Sequence, residues 1–234
     1  MGATRATKDR ALWLLLGAVA LTVALYVVPY GYYVGYPLVL LSTYAHEMGH
    51  GLTALAVGGG FDSFVMAPDG SGLAYLRVPD SRLTHAATSA GGLIGPALLA
   101  AAFFALARSS KTAHVGLSAF GAATLVSVVA VVRSPFGWLF VGVLGAGCAY
   151  LGLKSSARVA QAVLAFLAVQ LSLSVFSRGD YLFTETAGAG PSDVAQMARA
   201  LFLPYWFWGI VCGAISVLVL LFGVRIFLGS THRV

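Results

Sequence analysis

Charged residues are so sparse along this chain that the apolar stretches between them mark out its elements. From Ala11 to His46 there is no Asp, Glu, Lys or Arg. At about 1.5 Å of rise per residue, that run is too long for one crossing of a bilayer. Pro29 and the aromatic, glycine-bearing stretch from Tyr30 to Pro37 divide it. The pattern predicts a first helix near 11–28 and a second near 37–57. Five more uncharged runs follow, at 83–107, 112–132, 134–153, 159–177 and 200–224. Each has about the length a spanning helix needs. Arg108–Lys111, Arg133–Pro135 and Lys154–Arg158 break the series, and Tyr30, Tyr32, Tyr33 and Tyr36 suit an interfacial aromatic belt.

Two segments depart from this pattern. In residues 59–82, Phe64–Ala67 and Leu73–Val78 flank the turn Pro68-Asp69-Gly70-Ser71-Gly72, whose residue types predict a β-hairpin. Residues 178–199 form a later polar stretch with Asp180, Glu185 and Asp193, in which Pro191-Ser192-Asp193 can open a helix near Val194. The expected fold is therefore an all-α polytopic membrane protein. It has about seven transmembrane helices, one short β-hairpin and a single membrane-embedded domain over 1–234.

Composition strengthens that reading. Of the 234 residues, 59% are hydrophobic and only 9% charged, and soluble domains carry about a quarter charged residues. The mean hydropathy is +0.88. No soluble fold of this size hides so much apolar surface, which argues against a cytosolic enzyme, a secreted domain and a disordered segment. The lipid bilayer is the expected solvent. The net charge of +6 does not indicate nucleic acid, because the 14 Lys and Arg are scattered between apolar runs. With the N-terminus inside, eight of them fall on the inner side and six on the outer. That bias, with Arg5, Lys8 and Arg10 ahead of the first helix, predicts a cytoplasmic N-terminus. The first apolar run exceeds a usual signal core, so the helix is expected to be retained. The absence of Asn and the three Lys point to a GC-rich bacterial genome, and hence to the bacterial cell membrane. Cys148 and Cys212 lie in apolar runs and read as small packed hydrophobes.

The chemistry concentrates in the second span, Ser42-Thr43-Tyr44-Ala45-His46-Glu47-Met48-Gly49-His50-Gly51. It contains H-E-x-x-H. Positions i and i+4 share a helix face, so His46 and His50 can direct ring nitrogens at one metal ion. Glu47 is placed to take a proton from water on that metal. Zinc brings such water near neutrality, and the resulting hydroxide attacks a carbonyl. A Glu inside an apolar helix is costly, which makes it functional by default. Gly49, Gly51 and Ala54 leave room for another helix or for a substrate backbone.

At HEMGHGLTALAVGG the chain resembles the site-2 protease class of intramembrane zinc metalloproteases, peptidase family M50, and most of all its M50B-like branch. The same resemblance takes in Pro68–Gly72, Ala90-Gly91-Gly92 through Gly95-Pro96, Arg133–Gly137, Ser192-Asp193-Val194, Leu203-Pro204 and Phe207-Trp208. It implies cleavage of a membrane-protein or peptide substrate within or beside the bilayer, usually with a metal on the cytosolic side. It also implies a hairpin that presents substrate as an added strand. Well-characterised members take a third ligand from Asp in N-P-D-G or L-D-G on a later helix. This chain has no such motif there; its only D-G is Asp69-Gly70. Asp180, just past the sixth span, is the first candidate for the third zinc ligand, followed by Asp193, which can instead cap a helix. Asp69 suits an Asx turn, Glu185 a solvated loop, and His85 a structural role at an interface.

The expected function is intramembrane zinc endopeptidase, with His46, His50 and Asp180 as ligands and Glu47 as general base. The missing D-G motif leaves a second reading, a catalytically inactive zinc-binding membrane protein of the same fold that binds membrane partners. A transporter is disfavoured, since the chain shows no repeated halves. No insertion large enough for a peptide-docking domain lies between the spans, so substrate choice falls to the membrane region or a partner.

Overall fold

The computed structural model describes residues 2–177, 180–188 and 190–229; the side chains of residues 2–8, 10, 26, 32, 176, 177, 180 and 181 are outside the description. α1 (Gly2–Val27) and α2 (Gly31–Ala56) are separated where Pro29 and Tyr30 interrupt the long apolar run. Tyr30 takes a left-handed conformation, φ 65°, which turns the chain before α2 begins. α2 starts six residues ahead of the expected 37, so Pro37 lies inside it. Spanning helices tolerate such a proline better than soluble ones do.

After α2, β1 (Gly60–Met66) and β2 (Gly72–Arg77) form the hairpin anticipated from the turn chemistry. They pair antiparallel from Gly60↔Arg77 to Met66↔Gly72, with an irregularity between Phe61 and Ser63. At the turn, the Asp69 carboxylate accepts from the Ser71 N–H at 2.8 Å and the Ser71 hydroxyl at 2.6 Å, while Gly70 takes φ 90°. The chain continues through α3 (Arg82–Ala107), α4 (Ser110–Ala130), α5 (Pro135–Lys154) and α6 (Ala157–Ser177). Then come α7 (Asp180–Phe183), a two-residue ladder of β3 (Thr186–Ala187) with β4 (Gly190–Pro191), α8 (Asp193–Leu201) and α9 (Tyr205–Gly229).

Among the described residues, five helices are long and apolar enough to cross a membrane: α3, α4, α5, α9 and the Ala157–Val175 part of α6. The other two expected spans, in α1 and α2, are not confirmed. α1 is apolar over Ala11–Leu25, and α2 carries His46, Glu47 and His50, which lower its hydropathy. The last span also starts later than 200. Phe202 turns left-handed at φ 68° and Pro204 follows, which splits α8 from α9.

α3 is the central helix, packed by α2, α6, α8 and α9. Its buried face carries small residues, among them Ala86, Gly92, Ala97 and Ala100, so these neighbours approach closely. Phe103 and Phe104, beside them, pack with Leu117, Leu164 and Leu171 in the largest cluster. Cys148 and Cys212 are buried free thiols, as their apolar context implied.

The hairpin is fixed to the bundle by a segment not expected to be a strand. The Phe64 N–H donates to the Val131 carbonyl at 2.7 Å, and the Arg133 N–H donates to the Phe64 carbonyl at 2.8 Å. The α4–α5 link thus runs parallel beside β1. Ser134 caps α5 and also takes the Met66 N–H at 2.9 Å. Phe64, fully buried, packs edge-on against Tyr44 of α2. These contacts place the hairpin beside the polar half of α2.

Candidate metal centre

His46 and His50 stand one turn apart on α2, with their rings edge to face at 4.6 Å between centroids. Their Nε2 atoms approach to 3.1 Å. The ring of His50 is oriented from behind. Its Nδ1 lies 2.8 Å from the Thr88 carbonyl on α3. A carbonyl only accepts, so Nδ1 carries a hydrogen and Nε2 is the nitrogen turned to the cluster, where it would bind a metal. Glycines make the space for that ring. A Cβ on Gly92 would fall 2.1 Å from His50 Nε2, and one on Gly49 would fall 2.3 Å from the Gly91 carbonyl oxygen. The small residues around H-E-x-x-H therefore serve close crossing of α2 with α3. At Gly51 the available space is filled by the Phe61 ring.

The third group comes from α8. Asp193 Oδ2 lies 3.2 Å from His46 Nε2 and 3.4 Å from His50 Nε2. Ser192, not Asp193, caps α8, accepting the Ala195 N–H at 3.2 Å and bonding the Thr184 carbonyl. The Asp193 carboxylate is thereby free of capping and sits in the first turn, where the helix dipole favours negative charge. Burial by itself would raise its pKa. His50 and His46 beside it outweigh burial and hold the carboxyl well below the usual carboxylate range. α8 is anchored through buried Val194 and Met197, in a cluster shared with Ala86 and Leu93 of α3 and Cys212 of α9.

Ligand atoms of His46, His50 and Asp193 all lie within 4.8 Å of one another, an arrangement that can hold a metal ion. Zinc arms of 2.0–2.1 Å in a tetrahedron put donor atoms about 3.3–3.4 Å apart. The observed separations of 3.1, 3.2 and 3.4 Å match that edge. Two imidazoles and one carboxylate are also the donor set of a hydrolytic zinc site that keeps a fourth position for water.

A family model described as Peptidase M50B-like matches residues 16–223. The chain belongs to the Peptidase M50B-like family. Neither a curated protein nor a solved structure matches it. Family membership and the five apolar helices make this M50B-like chain an integral membrane protein.

The remaining candidates of the M50B-like chain fall in different places. Glu47 is buried and does not join the three converging groups; its Oε2 accepts the Ala74 N–H of β2 at 2.8 Å. Asp180, the first expectation for the third ligand, opens α7, but its side chain lies outside the described residues. Asp69 makes the Asx turn, and His85 and Glu185 are exposed. Sequence reasoning missed the Thr88 carbonyl, the Ala74 amide and the clearance at Gly92. The first two are main-chain groups, which residue type does not signal. The glycine run Gly91-Gly92 was the one available hint of close approach.

Proposed function

We propose that this chain is an intramembrane zinc metalloendopeptidase that hydrolyses a peptide bond within or beside the membrane. One observation carries the reading: two histidines of an H-E-x-x-H helix and a partly buried carboxylate from a distant helix converge at tetrahedral-edge spacing. His46, His50 and Asp193 hold the zinc. When bound, zinc acidifies its water and polarises the scissile carbonyl. Glu47 accepts the water's proton and later delivers it to the leaving amine. Thr88 keeps His50 in the binding tautomer. No further strand pairs with β2 among the described residues, so an extended peptide of the substrate adds along its outer edge, where the Ala74 N–H is bonded to Glu47 in the absence of substrate. The site and hairpin face the cytoplasm with the N-terminus, and the substrate is a membrane protein or membrane-associated peptide.

Zinc content of the purified protein tests this. Wild type is expected to hold about one zinc, lost in His46→Ala and Asp193→Ala and kept in Asp180→Ala. Loss in Asp180→Ala with retention in Asp193→Ala would move the third ligand to α7. A wild type that takes up no zinc on supplementation would end the metalloprotease reading.

A further inference from the structure

The hairpin is held along both edges, and the two edges are held differently. On the β1 side the bonds run to the main chain of Val131 and Arg133 and to Ser134. On the β2 side they run to one face of α2. The Tyr36 hydroxyl donates to the Pro68 carbonyl, the Thr43 hydroxyl to the Gly70 carbonyl at 2.7 Å, and the Ala74 N–H to Glu47 at 2.8 Å. Tyr36, Thr43 and Glu47 are separated by seven and four residues, which aligns them on a helix.

The direction of the Ala74 amide follows from register. Ala74 stands opposite Phe64. The N–H and carbonyl of Phe64 are used on the far side by Val131 and Arg133. The Phe64–Ala74 pair therefore exchanges no ladder bonds, and the Ala74 N–H points outward from β1. An outward N–H on an edge strand is what an extended peptide takes when it adds to a sheet. Here it is already taken, by the carboxylate assigned above as the proton acceptor. The β2 backbone also lies close against that side chain. A Cβ on Gly72 would meet Thr43 Cγ2 at 2.6 Å and Glu47 Cγ at 3.0 Å.

We propose that the Ala74 amide is a latch on Glu47. With the β2 edge unoccupied, it holds the carboxylate against the hairpin. An extended peptide pairing with β2 takes the amide, and Glu47 is released to turn toward the His46–His50–Asp193 cluster. The base is thus freed by the same backbone pairing that brings in a peptide, so water at an empty site meets a restrained base. The proposal rests on the assignment of Glu47 as the base, but its test reads the carboxylate itself.

The sequence makes that readout clean, because Glu47 and Glu185 are the two glutamates in the chain. Labelling glutamate with 13C at the side-chain carboxyl in a Glu185→Gln background leaves one signal, from Glu47. Ala74→Pro in that background removes the outward N–H and no ladder bond, and proline is accepted at such edge positions. Ala74→Gly keeps the N–H. The Glu47 signal is expected to move in Ala74→Pro and to stay in Ala74→Gly. Titrating acetyl-(Val-Thr)3-amide into the Ala74 parent is expected to move the signal to its Ala74→Pro position. Identical signals in the two Ala74 variants would overturn the latch, and a signal unmoved by the peptide would overturn its release. Should Ala74→Pro fail to fold, the peptide titration decides alone. Failure of the peptidase reading shows separately, as absence of bound zinc or of Glu47-dependent cleavage.

Discussion

At the scale of single residues, Glu47 and Gly92 give the sharpest expectations. Glu47→Gln keeps size and hydrogen-bonding capacity but removes proton acceptance. Cleavage of a substrate is expected to fall by about a hundredfold or more with zinc retained, measured by turnover and metal content on one preparation. Unchanged function in Glu47→Gln would favour a zinc-binding partner protein over an enzyme. Gly92→Ala is expected to lose zinc, because the new methyl enters the volume of the His50 ring against fixed helix backbone. Metal analysis checks it, with Gly142→Ala, where a Cβ meets nothing within 4 Å, as the neutral comparison. His46, Glu47 and His50 were legible because helix periodicity maps spacing onto a face. Asp193 was only half legible: Ser192 and Asp193 both suit a cap, and only the fold shows that Ser192 takes that role and leaves the carboxylate free.

At the scale of elements, α8 is the short piece on which the third ligand depends. Ser192→Ala removes its cap at a cost of about 1 kcal/mol. Zinc affinity is expected to drop several-fold as Asp193 loses its fixed position, measured by competition with a coloured chelator. An unchanged affinity would mean that Val194 and Met197 alone hold the helix in place. The hairpin was legible from its turn, since Pro68 through Gly72 carries residues that close a β-turn and little else. The segment bridged to it was not. Val131-Val132-Arg133 reads as the frayed end of a span, and the bonds that tie it to Phe64 are main-chain bonds between segments far apart in sequence. Five of the expected spans are long and apolar among the described residues, while α2 carries the site's own polar groups, which lower its hydropathy.

At the scale of the whole molecule, the hairpin and the N-terminus are expected on the same side of the membrane. The buried state of Cys148 and Cys212 provides a test. An Asp69→Cys variant presents a thiol at the exposed hairpin turn, and an impermeant maleimide should reach it in inverted vesicles and not in intact cells. Labelling from the outside would reverse the orientation and place the metal cluster on the opposite face. The joining of α2 to α8 also has a consequence in time. More than half of the chain lies between His50 and Asp193. At about 5–20 residues per second, a ribosome needs roughly 7 to 30 seconds to make that stretch. Throughout that interval the nascent protein exposes its first two histidines to the membrane without the carboxylate that completes the set. On the proposed peptidase reading a half-made copy is a harmless one, and the last third of the chain acts as the safety catch on the first.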